Sequence, residues 1–300
     1  MDSDDETYIL LLLADSNLPT GSFVASSGLE SYVTHGFWSN KSTIIDFVRD
    51  SLTGYAHTAL PFVSDAHRII TAYAASKNPL STEELDGAIK NLLALDDLYE
   101  ATTLNHVARR ASKAQGIALL ALYSKGFSRP TFLSCSVEEA TFIHEKRLSS
   151  LLDKYKSLIR AEDFPGHFPI CWGMLTGALK LTLGQSLIIL RSNMFNQVTF
   201  VPPNLSERSQ YLYLFLHARS LLSASVRLND IGPYGAQQIL LHAIRPLVAT
   251  EAARCGDRHT GVLSQGHDFD QTTQGPANTW PLGEILAARH DQQHSRIFNS

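Results

Sequence analysis

The stretch LPTGSFVASSGLE, residues 18–30, concentrates residue types that handle phosphate or act as nucleophiles: Gly21 and Gly28, with Thr20, Ser22, Ser26 and Ser27 around them. A phosphate cradle of the P-loop kind needs a lysine and then a hydroxyl residue directly after its last glycine, at a turn from strand to helix. Leu29 and Glu30 occupy those places, and no strand pattern precedes them. The dinucleotide fingerprint GxGxxG is missing, and neither Gly21-Ser22 nor Ser27-Gly28 forms the GxSxG of a nucleophile elbow. The spacing supports a turn over Pro19-Thr20-Gly21, capping hydroxyls at Ser22 or Ser26, and a helix from about Ser27 to His35.

Metal ligation is the next chemistry to weigh, because the chain holds 12 histidines. His35, His57, His67, His106, His144, His217 and His242 each lack a ligand-type residue at helical spacing on a clear shared face. His290 and His294 stand four apart, so on a helix they would point the same way and form a weak metal candidate. HEXXH is absent, and a third ligand would have to come from His259 or His267. Cys135, Cys171 and Cys255 are odd in number and widely spaced with no CxxC pair, so their spacing excludes a disulfide framework and a thiolate zinc site and suits a reducing compartment. No pair of carboxylates can be assigned to acid–base work. The residues by themselves therefore point to a binding or assembly component, with a metal-assisted hydrolase built on His290 and His294, or an unrelated helical interaction module, as the alternatives.

The elements that would position these residues are helical. Ala236, Ile239, Leu240, Ala243, Ile244, Leu247 and Val248 step by three and four, with Pro246 placed to kink or end the helix. Ile44 to Tyr55 carries a similar stripe, and Leu85, Ile89, Leu92 and Leu93 mark another after Ser81-Thr82-Glu83-Glu84, which has capping-box spacing. Further helical stretches cover roughly 58–77, 98–123, 138–160, 170–182, 185–199, 207–227 and 282–294. Alternating strands with hairpin turns are absent. The expected fold is all-α: a single helical bundle of about ten helices over 1–255, followed by a polar segment and C-terminal helix or tail over 256–300. The polar part, 256–281, is expected to be a mobile loop or to be ordered by a partner.

Bulk properties agree with an assembly role. A net charge of -4 argues against a general nucleic-acid binder, and the apolar run YILLLLAD is too short to span a membrane. The acidic start MDSDDE does not read as a secretory signal, so the expected location is cytoplasmic.

Three blocks taken in order resemble the UreF family of urease accessory proteins. LPTGSFVASSGLE fits the family's LPxGxFxxSxGLE at every specified position. HARSLLSASVRLNDIGPYGAQQILL, residues 217–241, is similar to the family's helix–turn–helix, and ARHDQQHSRIFNS to its C-terminal ending. The resemblance implies an all-helical homodimer without hydrolytic activity or an intrinsic cofactor, acting in nickel insertion into the urease apoprotein. It would bridge a UreD/UreH-type scaffold and a UreG-type nickel GTPase and influence GTP hydrolysis, with nickel passing through the assembled complex. Carried over position by position, the implied partner-binding residues are Gly21, Phe23, Gly28, Glu30, Arg227, Gly232, Gln237, Arg289, His290, Arg296 and Phe298. Arg227 stands where bacterial members commonly have lysine, Pro233 where glutamine is frequent and Ala25 where an aromatic is common. Each position also has a purely structural use: Arg227 as a helix C-terminal cation, Glu30 as a first-turn carboxylate, and the glycines as backbone hinges. Phe298 so near a polar terminus calls for an interface or an intramolecular dock.

Overall fold

The computed structural model describes residues 3–15, 18, 25–37, 43–76, 82–129, 139–181, 208–264 and 269–299. Among these there is no strand, and the fold is all-α. The helices in chain order are α1 (Ser3–Leu13), α2 (Leu29–Thr34), α3 (Ile44–Ala75), α4 (Thr82–Thr102), α5 (His106–Leu122) and α6 (Glu139–Arg160). They continue with α7 (Phe168–Ala178), α8 (Arg208–Arg227), α9 (Pro233–Ile239), α10 (Arg245–Cys255), α11 (Gln271–Gln274) and α12 (Pro281–Ala288).

The bundle is organised around α3 and α7. On α7, residues 169–178 are buried without a break, as expected of a helix apolar on every side and surrounded by others. Helix α3 packs on it closely because Gly173 and Gly177 face its backbone. A Cβ at Gly173 would collide with the Val63 carbonyl, and one at Gly177 would lie 3.2 Å from the His67 carbonyl. Phe47, Leu52, Leu60, Phe62 and Ile70 of α3 are fully or nearly fully buried, each such side chain contributing roughly 1.5–3 kcal/mol. Helices α4, α8 and α10 pack around α3, while α5 covers another side of α7.

Local signals explain most helix ends. Thr43 and Asp46 form a capping box at the start of α3, with the Thr43 N–H donating to Asp46 Oδ2 at 3.0 Å. Asn105 caps α5, its Oδ1 accepting from the Val107 and Ala108 N–H groups. That cap separates α4 from α5, where periodicity alone suggests one helix over 98–123. Ser81 lies outside the described residues, and Glu84 accepts instead from Ser76 Oγ at 2.7 Å and Arg147 at 3.1 Å.

Two prolines shape the helices in different ways. Pro61 lies inside α3, which runs unbroken through the place where the periodicity suggests two helices. Proline has no N–H to offer the carbonyl four residues back. The His57 carbonyl accepts from the Ala277 N–H at 3.2 Å instead. Pro246 falls in the first turn of α10, and a π-helical turn over Leu240–Ile244 joins α9 to α10, so the helix is modified and not ended.

At the N-terminus, the apolar run is part of helix α1. Its Glu6 pairs with Arg208 at 2.9 Å, and the Ala14 carbonyl after it accepts from Arg219, which fastens it to α8. The helix expected over 185–199 lies outside the described residues. No helix among those described is long and apolar enough to cross a membrane.

Candidate docking site

The polar segment 256–281, expected to be mobile or partner-ordered, is fixed by its own chain where it is described. Asp65 Oδ2 on α3 accepts the Thr260 N–H at 2.8 Å and its Oγ1–H at 2.6 Å. Trp280 packs edge-on against Phe47, with ring centroids 5.2 Å apart. The segment thereby delivers α12 to the opening block of the chain.

Gly28 makes that meeting close. It precedes α2 with φ +86, a left-handed conformation that glycine adopts without steric cost, and a Cβ there would lie 3.1 Å from the Ala287 Cβ of α12. In the first turn of α2, Glu30 is buried, so its carboxylate must be satisfied from within the protein. The C-terminal tail supplies the donors: His290 Nε2–H at 3.1 Å, the Ile297 N–H at 2.6 Å and the Phe298 N–H at 3.3 Å. Next to it, Ser31 Oγ accepts from Gln293 Nε2 at 2.7 Å. Phe298, only 2% exposed, lies beneath the Arg227 guanidinium, 4.2 Å from the ring centroid.

A second set of contacts secures the tail from outside. Arg110 of α5 grips Asp291 with two bonds of 2.8 and 2.9 Å and donates to the Asn299 carbonyl at 3.1 Å. Arg296 reaches the same Asp291 at 2.8 Å, and His106 Nε2 lies 3.3 Å from its other carboxylate oxygen. These partners, Arg110 foremost, hold the Asp291 carboxyl well below the usual carboxylate range.

Beside the clasp opens a cavity of about 390 Å³, lined among others by Gly28, Ala287, Tyr55, His217, Arg227 and Gln237. Tyr55 stacks on His217 at 4.1 Å and on Tyr213 at 5.1 Å, with the Tyr213 hydroxyl donating to that of Tyr55 at 2.6 Å. Ser51 Oγ lies 2.9 Å from His217 Nε2, a contact with the outline of a nucleophile and base. Burial pushes His217 down to about 4, which leaves a weak base for activating a hydroxyl near neutral pH. On the outer side of α9 the surface is open: Tyr234 is 88% exposed and Gln237 is exposed.

Gly28, Glu30, Arg227, His290 and Phe298 thus meet at one corner, with Gln237 on the rim of the adjoining cavity. Arg289 is exposed nearby, and Arg296 spends its charge on Asp291. Gly21 and Phe23 lie outside the described residues. Gly232 does not serve as a backbone hinge, since its φ is -77 and the space around it is empty. Asn229, with φ 61, provides the left-handed reversal after α8. The helical face expected for His290 and His294 is also absent: α12 ends at Ala288, and Arg289–Gln292 form a 3-10 turn. His290 is buried on Glu30 while His294 is exposed. Ser31, Arg110 and Asp291 were not anticipated, because each gains its meaning from a partner far along the chain.

Fold and site together define an all-helical protein whose polar residues at this corner hold the start of α2 against residues 290–298. The UreF family profile matches residues 38–199 and 205–244. The chain is 37% identical to urease accessory protein 6 of Cryptococcus neoformans var. grubii, over 99% of this chain and 98% of that protein. It is 28% identical to an uncharacterized UreF-like urease accessory protein of Schizosaccharomyces pombe, covering 100% and 99% of the two chains. With urease accessory protein F of Arabidopsis thaliana the identity is 27%, covering 96% and 90%. The chain belongs to the UreF family of urease accessory proteins, and its general role lies in urease maturation.

Proposed function

We propose that the chain is a non-catalytic assembly factor that bridges a UreD/UreH-type scaffold and a UreG-type nickel GTPase, and that it modulates GTP hydrolysis while nickel, as cargo, moves toward the urease apoprotein. It works in the cytoplasm as a homodimer and needs no cofactor of its own. The observation that carries this reading is the convergence of the opening block, the 217–241 block and the C-terminal tail on one corner. There the clasp holds the end of α8 and the tail in place, and Tyr234 and Gln237 project beside them from α9. An almost fully exposed tyrosine next to a polar rim is the composition of an interface anchor, apolar in its ring and hydrogen-bonding at its tip. On this reading the α9 rim meets the GTPase.

Co-purification of the full-length chain with the scaffold and the GTPase tests the proposal. The three proteins should elute together, and the Tyr234→Ala/Gln237→Ala double variant should keep its helical content yet lose the GTPase and lower urease activation by at least about tenfold. A full-length chain that joins neither protein would overturn the reading. Full activation by the double variant would remove α9 from the contact.

A further inference from the structure

A second cluster lies away from the clasp, where α10 packs on α3. His57 of α3 and Glu251 and Cys255 of α10, all buried, bring one ligand atom each to within 4.8 Å of one another. Glu251 and Cys255 are four residues apart and so share a face of α10, while His57 arrives from the facing helix. Cys255 Sγ is 3.5 Å from His57 Nδ1. Metal bonds of about 2.3 Å to sulfur and 2.0–2.1 Å to nitrogen, meeting at a tetrahedral angle, leave those two donors about 3.5 Å apart.

The Glu251 carboxylate is the second, independent sign. Its side chain is 9% exposed, and one oxygen pairs with Arg254 at 3.1 Å. The other oxygen, Oε2, has no hydrogen-bond partner among the described residues, an expensive state for a buried carboxylate. The Arg254 side chain is 56% exposed, so it can swing away and open a route from solvent. The Thr53 carbonyl, 2.9 Å from His57 Nδ1, is a further oxygen beside the cluster.

We infer that His57, Glu251 and Cys255 form a binding site for one divalent first-row transition-metal ion. The donor set of imidazole, thiolate and carboxylate suits zinc, cobalt or nickel and not magnesium or calcium, which prefer oxygen alone. Loading is balanced in protons and charge. The Cys255 thiol releases its proton to solvent, and the imidazole proton moves from Nδ1, where it faces Thr53, to Nε2. Thiolate and carboxylate then offset the two charges of the ion, leaving the buried site neutral. The site does not rest on the accessory role and would stand if that role failed.

Cobalt(II) added to the purified, metal-free, full-length chain provides the test. One equivalent should give a thiolate-to-cobalt charge-transfer band that zinc(II) removes by displacement. Cys255→Ser should abolish the band, whereas Cys135→Ser should leave it unchanged. Glu251→Gln, which keeps the volume, should weaken binding at least about tenfold while the band persists at saturation. Absence of the band in the unmodified chain, its survival in Cys255→Ser, or unchanged cobalt affinity in Glu251→Gln would each overturn the assignment.

Discussion

Glu30 shows how one residue can combine a structural and a functional reading. A carboxylate in the first turn of a helix has an ordinary use there, but this one is buried and accepts from His290 and from the Ile297 and Phe298 N–H groups. Glu30→Ala should lower stability by about 3 kcal/mol or more, since buried donors lose their acceptor and the site loses a charge-assisted partner. Denaturant unfolding measures that loss, and hydrogen exchange at the Ile297 and Phe298 amides locates it. Unchanged exchange at both amides would mean that another group holds the tail. Little of this was legible in the residues alone. Glu30 and Phe298 could be singled out, but their pairing spans 268 positions, and no local spacing encodes it. The proposed metal site is half legible: Glu251 and Cys255 have helical ligand spacing, while His57 stands alone in its own stretch.

At the level of elements, periodicity located the helices well and their joints poorly. Apolar stripes report which face is buried, not where a cap such as Asn105 interrupts the chain. Pro61 does not end α3; it frees the His57 carbonyl, which then anchors Ala277 of the polar segment. The α3–α7 crossing depends on the missing side chain of Gly173. Gly173→Ala improves helix propensity by roughly 1 kcal/mol, yet it forces a methyl against the Val63 carbonyl at an overpacking cost of about 1–3 kcal/mol, so it should destabilise by a net of up to about 2 kcal/mol. Thermal unfolding decides between the two effects. A raised melting temperature would show that the two helices can separate at little cost.

For the whole molecule, three buried groups with large shifts titrate between pH 6.5 and 4, and His67, lowered by its burial, acts in the same direction as the two histidines among them. Burial pushes His167 and His217 down to about 4 from an ordinary 6.5. Their contribution to stability is fully present above about 6.5 and is lost as pH falls through about 4. Asp96 runs the other way: burial raises it from 3.8 to about 6, so its contribution is present below 3.8 and is lost as pH rises through about 6. Two histidines against one carboxyl predict a net loss of stability between pH 6.5 and 4, and His217→Asn should make that slope shallower. Urea midpoints measured across this range test it, and an unchanged slope in the variant would contradict the assignment. The same global view gives the clasp a meaning in time. Ribosomes deliver the chain from its N-terminus, and Glu30 takes its donors from residues 290–298 of a 300-residue protein. Its carboxylate therefore waits unmated until residues 290–298 have been made. The corner can close only after those residues emerge, so a polypeptide released before them is left without it.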